Sequence, residues 1–160
     1  MGKVLASFAP GFPGAISRAV DDIVKPMAVG ASGGIAFGLP VVMNAGKTAV
    51  IPFASTNVAD DFTGIAVRSA AKTPNEYGSN TAQYNQHEMA DILVRGSAVV
   101  VCYSGTPTLD GAVYIIKSNG RFSADASFSG TENVLIPNAK WLGGKDSSNR
   151  AEIVITERNL

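Results

Sequence analysis

Ala90-Asp91-Ile92-Leu93-Val94-Arg95-Gly96-Ser97-Ala98-Val99-Val100-Val101-Cys102-Tyr103 is the stretch whose reading decides the fold. Val99, Val100 and Val101 are β-branched and stiff at χ1, which favours extended backbone. Gly96 and Gly105 bracket them, and a short apolar run between breakers reads as a buried strand. Upstream, Phe62-Thr63-Gly64-Ile65-Ala66-Val67-Arg68 is a second apolar run, closed by a charge. Between the two, Lys72 to Glu88 is polar, rich in Asn and Gln, and without apolar periodicity. Two apolar runs joined in this way predict two sheet strands linked by a surface loop.

Working outward toward the start, Pro10-Gly11 and Pro13-Gly14 are two breakers within five residues. Residues 1–14 therefore read as an extended arm, with Phe8 and Phe12 as apolar anchors on this domain or on a neighbour. In residues 15–25, Ala15, Ile16, Ala19, Val20, Ile23 and Val24 follow helical spacing with Asp21 and Asp22 opposite. Pro26 would stop a helix there, and the neighbouring segments favour extension, so helix and strand both stay open. From Pro26 to Phe53 short β runs alternate with Gly30-Ala31-Ser32-Gly33-Gly34 and Asn44-Ala45-Gly46-Lys47, which read as turns.

Toward the end, Ala112 to Ala124 reads as a hairpin around Asn119-Gly120, a residue pair favoured in tight turns. Val134 to Leu142 follows, with Pro137 confined to an edge or a bulge if this is a strand. Ala151-Glu152-Ile153-Val154-Ile155-Thr156 is the last strand. Short strands at intervals of roughly 8–12 residues predict an all-β chain, a compact β-barrel or jelly-roll-like sandwich with an extended N-terminal arm. Residues 15–160 then form a single β domain with a long polar excursion at 69–88.

The chain has 160 residues, enough to bury roughly 70% of its unfolded surface. Only 16% are charged, and 13 basic residues balance 13 acidic ones. A nucleic-acid binder would carry a basic excess or stripe, and none is visible. No apolar run approaches the ~18 residues of a membrane span, and the start is too short for a signal peptide. Cys102, the only cysteine, lies inside an apolar run and reads as an inert buried thiol. His87 is the only histidine, and His87-Glu88 lacks the second histidine of a zinc motif because position 91 is Asp. A hydrolase would have to pair Ser104 with His87. Asp60 and Asp61 lack the alternate oxygen ligands of a calcium loop and read as turn residues. Tyr77 and Tyr84, in the polar excursion, could stack on sugars or pin the loop to a partner. No enzyme and no cofactor is expected.

Taken in order, Phe12-Pro13-Gly14 with Arg18, Ile35 to Val41, Phe62 to Arg68, Tyr84 and Val94 to Val101 resemble the head cement, or decoration, proteins of tailed bacteriophages. So do Gly111-Ala112-Val113-Tyr114, Gly120-Arg121-Phe122, Ile136 to Trp141 and Ala151 to Ile155. The resemblance implies a β-barrel or jelly-roll-like body that binds the major capsid protein and neighbouring copies of itself as a homodimer or homotrimer. It implies a place on the outer surface of the virion capsid after synthesis in the host cytoplasm, with no nucleic acid or membrane partner. Phe8, Phe12, Pro13, Arg18, Tyr77 and Tyr84 are the candidate capsid or subunit contacts. The competing reading is a β-sandwich carbohydrate- or receptor-binding module that uses Tyr77 and Tyr84.

Overall fold

The computed structural model describes residues 11–69 and 83–157. Thirteen strands lie along them: β1 (Ile16–Ala28), β2 (Ile35–Ala36), β3 (Pro40–Met43), β4 (Val50–Pro52), β5 (Phe62–Ala66), β6 (Gln83–Tyr84) and β7 (Met89–Val101) come first. After these come β8 (Ala112–Ile116), β9 (Arg121–Ser123), β10 (Ser127–Phe128), β11 (Thr131–Glu132), β12 (Val134–Trp141) and β13 (Arg150–Ile155). One nine-stranded sheet runs β4-β3-β5-β7-β13-β12-β8-β9, with β1 also on β7, and two small two-stranded ribbons flank it. The protein is all-β, and its main sheet curls into a half-barrel.

The decisive stretch is β7, which pairs with β1, β5 and β13. Leu93, Ala98 and Val100 feed a large core around Phe62, Phe122, Ile136, Ile153 and Trp141. Ala90, Ile92 and Val94 feed a smaller core around Ile35, Phe37, Val41 and Tyr84. A strand that is buried on both faces reads as a continuous apolar run, which is how 98–102 reads.

β7 is also sharply bent. Val67 N–H donates to the Asp91 carbonyl at 2.8 Å, Arg68 N–H to Gly14 at 2.7 Å, and Gly14 N–H to Val99 at 2.8 Å. In a straight strand residues 91 and 99 would stand about 26 Å apart, farther than this chain of three bonds reaches. Three irregularities in the β1–β7 pairing accompany the bend, the first where two steps from Ile16 to Arg18 match one from Ala98 to Ser97. Val94 is an extra residue on β7 between the partners of Val24 and Ile23, and four β1 residues (19–22) stand opposite Gly96 alone. Gly96 has φ +117°, and a Cβ there would lie 2.0 Å from Asp22 Oδ1. The same carboxylate oxygen accepts the Ser97 N–H at 3.2 Å. Asp22 thus occupies the space that a side chain at 96 would need.

Of residues 15–25, left open between helix and strand, all but Ala15 belong to β1. The helical spacing loses because β7 offers a row of backbone partners along its length, and Ile16, Ile23 and Val24 are β-branched. Pro26, opposite Asp91, is tolerated because β1 pairs only with β7 among the described residues. Pro137 likewise sits where the β12–β8 register slips, between Ile136 and Lys140. The 112–124 hairpin forms as expected, but its loop is the four residues between Ile116 and Arg121 rather than a two-residue turn. Gly120 N–H returns to the Ile116 carbonyl at 2.8 Å. Asp61 does close a turn, its Oδ2 accepting the Val58 N–H at 3.0 Å. Cys102 is fully buried, and burial pushes its thiol pKa up.

The last turn, residues 143–149, is organised by Asp146. Its carboxylate accepts the Ser148 N–H at 2.8 Å, the Arg150 N–H at 2.9 Å and the Arg150 Nε–H at 3.0 Å. Burial alone would raise this carboxyl, but the backbone donors and the Arg150 guanidinium hold its pKa below the ordinary value. Stability drawn from such a group is complete above the unfolded value of about 4 and is lost as pH falls through the lower folded value.

Three substitutions test these features. Gly96→Ala is expected to cost about 2–4 kcal/mol in urea unfolding, through backbone strain plus the clash with Asp22. Gly33→Ala, where an added Cβ meets nothing within 4 Å, should stay within about 0.5 kcal/mol of the unaltered chain. Asp146→Asn should cost about 1 kcal/mol at neutral pH. It should also flatten the loss of stability below about pH 4, checked by urea midpoints across that range.

Candidate contact surface

The segment entering β1 is stitched into the fold. Gly14 lies between the Val99 carbonyl and the Arg68 N–H, and Val99 N–H donates to Ala15 at 2.9 Å. Gly14 has φ +81°, and a Cβ there would lie 2.9 Å from Arg68 N and 3.0 Å from Gly38 N. A Cβ on Gly38 would in turn lie 2.9 Å from Gly14 N and 2.9 Å from Pro13 Cβ. Two backbones cross at contact distance here because neither crossing residue has a side chain. Residues 11–15 are therefore clamped onto their own domain.

That crossing turns Phe12 outward. The residue remains 47% exposed. The Arg68 guanidinium lies 5.0 Å from the ring centre and the Arg150 guanidinium 5.7 Å from it. Arg68 also lies 5.6 Å from the ring of Phe37, which meets Tyr84 edge-on at 5.2 Å. The Tyr84 hydroxyl donates to the Val67 carbonyl at 2.8 Å. An exposed phenyl ring flanked by two guanidinium groups, on a backbone fixed from both sides, is a rigid aromatic and cationic patch. Aromatic and arginine side chains are the residue types that anchor protein interfaces.

The four described residues among those expected at contacts do not converge. Phe12 and Pro13 lie at this crossing. Arg18 lies elsewhere on β1, its guanidinium 3.4 Å from Glu152, in a shallow pocket with Asp21, Asp22, Arg95 and Ser97. Phe8 and Tyr77 lie outside the described residues. Tyr84, expected on an exposed loop, is a core residue at 2% exposure, and burial raises its phenol pKa. Its ring packs in the smaller core and its hydroxyl is already bonded, so it has no free face for a sugar or a partner.

Sequence reading missed Arg68, Arg150 and Phe37. The signal for Arg68 was the charge that closes the 62–67 apolar run. Arg150 follows a polar turn and gave none.

The hydrolytic reading finds no assembled site among the described residues. The Ser104 hydroxyl donates to Asp125 Oδ2 at 2.6 Å, whereas exposed His87 lies beyond the opposite end of β7, its N–H on the Val29 carbonyl. Gly30-Ala31-Ser32-Gly33-Gly34 has the G-x-S-x-G spacing of a nucleophile elbow, but it connects two strands instead of a strand and a helix. No group of three or more His, Cys, Asp or Glu among the described residues could hold a metal ion.

Comparison with known proteins gives a consistent picture. A chain of the solved structure "The capsid of Myoviridae Phage XM1" superposes with a TM-score of 0.75 at 17% identity, over 98% of this chain and 96% of that one. That likeness is one of fold. No curated protein matches the chain. The family model described as "Structural cement protein (E217 gp24/Pam3 gp6)" matches residues 3–156. With a match along nearly its whole length, the chain belongs to the phage structural cement protein family and has the role of a capsid cement, or decoration, protein associated with the virion.

Proposed function

We propose that the chain sits on the outer face of the phage head and stabilises contacts between neighbouring major capsid proteins, with the Phe12 surface turned toward the capsid. Neighbouring copies touch one another as a homodimer or homotrimer. The observation that carries this reading is the Phe12 ring, held outward on a fixed backbone between Arg68 and Arg150. Phe12 is one of several exposed large apolar side chains, and it differs from the others in having two guanidinium groups against its ring.

Membership in a cement family supplies the partner class. Zero net charge supports a protein partner over nucleic acid, because it offers little release of counter-ions from a phosphate backbone. Many copies on a symmetric lattice each need to bury only a modest patch, since avidity multiplies the effect of each contact. No catalytic step belongs to this reading.

The test is co-sedimentation of the purified chain with empty, expanded heads. Saturable binding at a fixed ratio to the capsid protein, with heads that survive heating better, is the expected result. Phe12→Ala should weaken binding about tenfold while leaving the circular dichroism spectrum and urea midpoint unchanged. Failure of the unaltered chain to bind heads would overturn the proposal.

A further inference from the structure

We propose that Arg68 is the anion-recognition residue of the Phe12 surface. It takes the carboxylate of an acidic segment of the capsid protein, while an apolar neighbour in that segment packs on Phe12. The inference rests on the reading of this surface as the head contact and adds the chemistry of the partner.

Arg68 is fixed at both ends. Its N–H is bonded to the Gly14 carbonyl at 2.7 Å. Its guanidinium lies over Phe12 at 5.0 Å and over Phe37 at 5.6 Å. Phe37 is itself braced edge-on by Tyr84, whose hydroxyl holds the carbonyl of Val67, the residue next to Arg68.

Among the described residues Arg68 is alone in being held against two rings. Arg18, Arg95 and Arg150 have carboxylate partners in Glu152, Asp21 and Asp146. No acidic side chain among the described residues pairs with Arg68, and none of its side-chain N–H groups is bonded there. Stacking uses the faces of a guanidinium and leaves its edge, where the N–H donors point.

That edge matches a carboxylate through two parallel hydrogen bonds, the strongest form of this pairing. Much of the ordering entropy of binding is already spent, because the side chain is held in place before a partner arrives. Arg150 lies beside the same ring but is already paired with Asp146, so the charge left for an acidic partner at this surface is that of Arg68. A capsid protein is the occupant because the family associates with capsids. A second copy of this chain is the alternative that the test must separate.

The experiment compares the unaltered chain with Arg68→Ala, Arg68→Lys and Arg121→Lys in co-sedimentation with empty expanded heads, alongside each protein's mass in solution by light scattering. Arg121 stacks on Tyr103 on a separate surface and serves as the control. Arg68→Ala is expected to weaken head binding by about thirtyfold, and Arg68→Lys by about tenfold, because an ammonium keeps the charge but loses the planar fork. Arg121→Lys should bind like the unaltered chain, and all masses should stay the same.

Binding of the unaltered chain should also fall with rising salt. Salt-indifferent binding would overturn the proposal even if an Arg68 variant failed to fold. Head binding by Arg68→Lys equal to that of the unaltered chain would remove this inference and leave the cement placement standing. A change in solution mass with head binding unaffected would assign the carboxylate to a second copy and overturn it too. No head binding by the unaltered chain would remove both readings.

Discussion

The bend in the central strand is the constraint on which the other parts depend. A long apolar strand left straight would present two faces and no enclosed interior. Bent, it lets β5 and β13 pair with different parts of one strand and send side chains into a shared core, from Phe62 and Ile65 on one side to Ile153 and Ile155 on the other. Three local features make the bend possible. Gly96 supplies a backbone conformation that other residues rarely adopt, Asp22 caps the space above it, and Gly14 ties the two limbs together.

Much of this was legible. The β-branched run of 99–101, the hairpin around Asn119-Gly120 and the slip at Pro137 all follow from local rules about stiffness, turns and missing donors. Residues 15–25 could not be decided in the same way. Their apolar spacing suits a helix, and what overrides it is an unpaired edge of a strand about seventy residues away. Tyr84 misled for a related reason. It sits among polar residues that suggest an exposed loop, yet a two-residue pairing with Ile35 and Ala36 turns its ring inward. A bend is still harder to read, because Gly96 in a sequence marks only a break, and the occupant of the space above it comes from the other end of the chain.

The contact surface shows the same division. Phe12 stood out because it is an apolar residue without periodic companions. Arg68 lies just after β5 and Arg150 opens β13, and they meet only because the sheet curls. Their relation to Phe12 is a product of topology, and no spacing rule along the chain could reveal it. The family is visible in dispersed short motifs for a related reason, since those motifs mark turns, crossings and strand starts that the fold needs in order.

The pairing of β1 with β7 also sets a timetable. Ile16 meets Ala98 and Ala28 meets Met89, so β1 leaves the ribosome some sixty to eighty residues before the partner it pairs with. At roughly 5–20 residues per second that interval is several seconds. Throughout it Ile16, Ile23 and Val24 have no strand to lie against. Closing so large a loop before any reward places the step among the slow ones in folding. The nascent chain therefore carries an unpaired β1 during synthesis, and charged residues such as its Arg18, Asp21 and Lys25 are the kind that oppose pairing with a wrong neighbour.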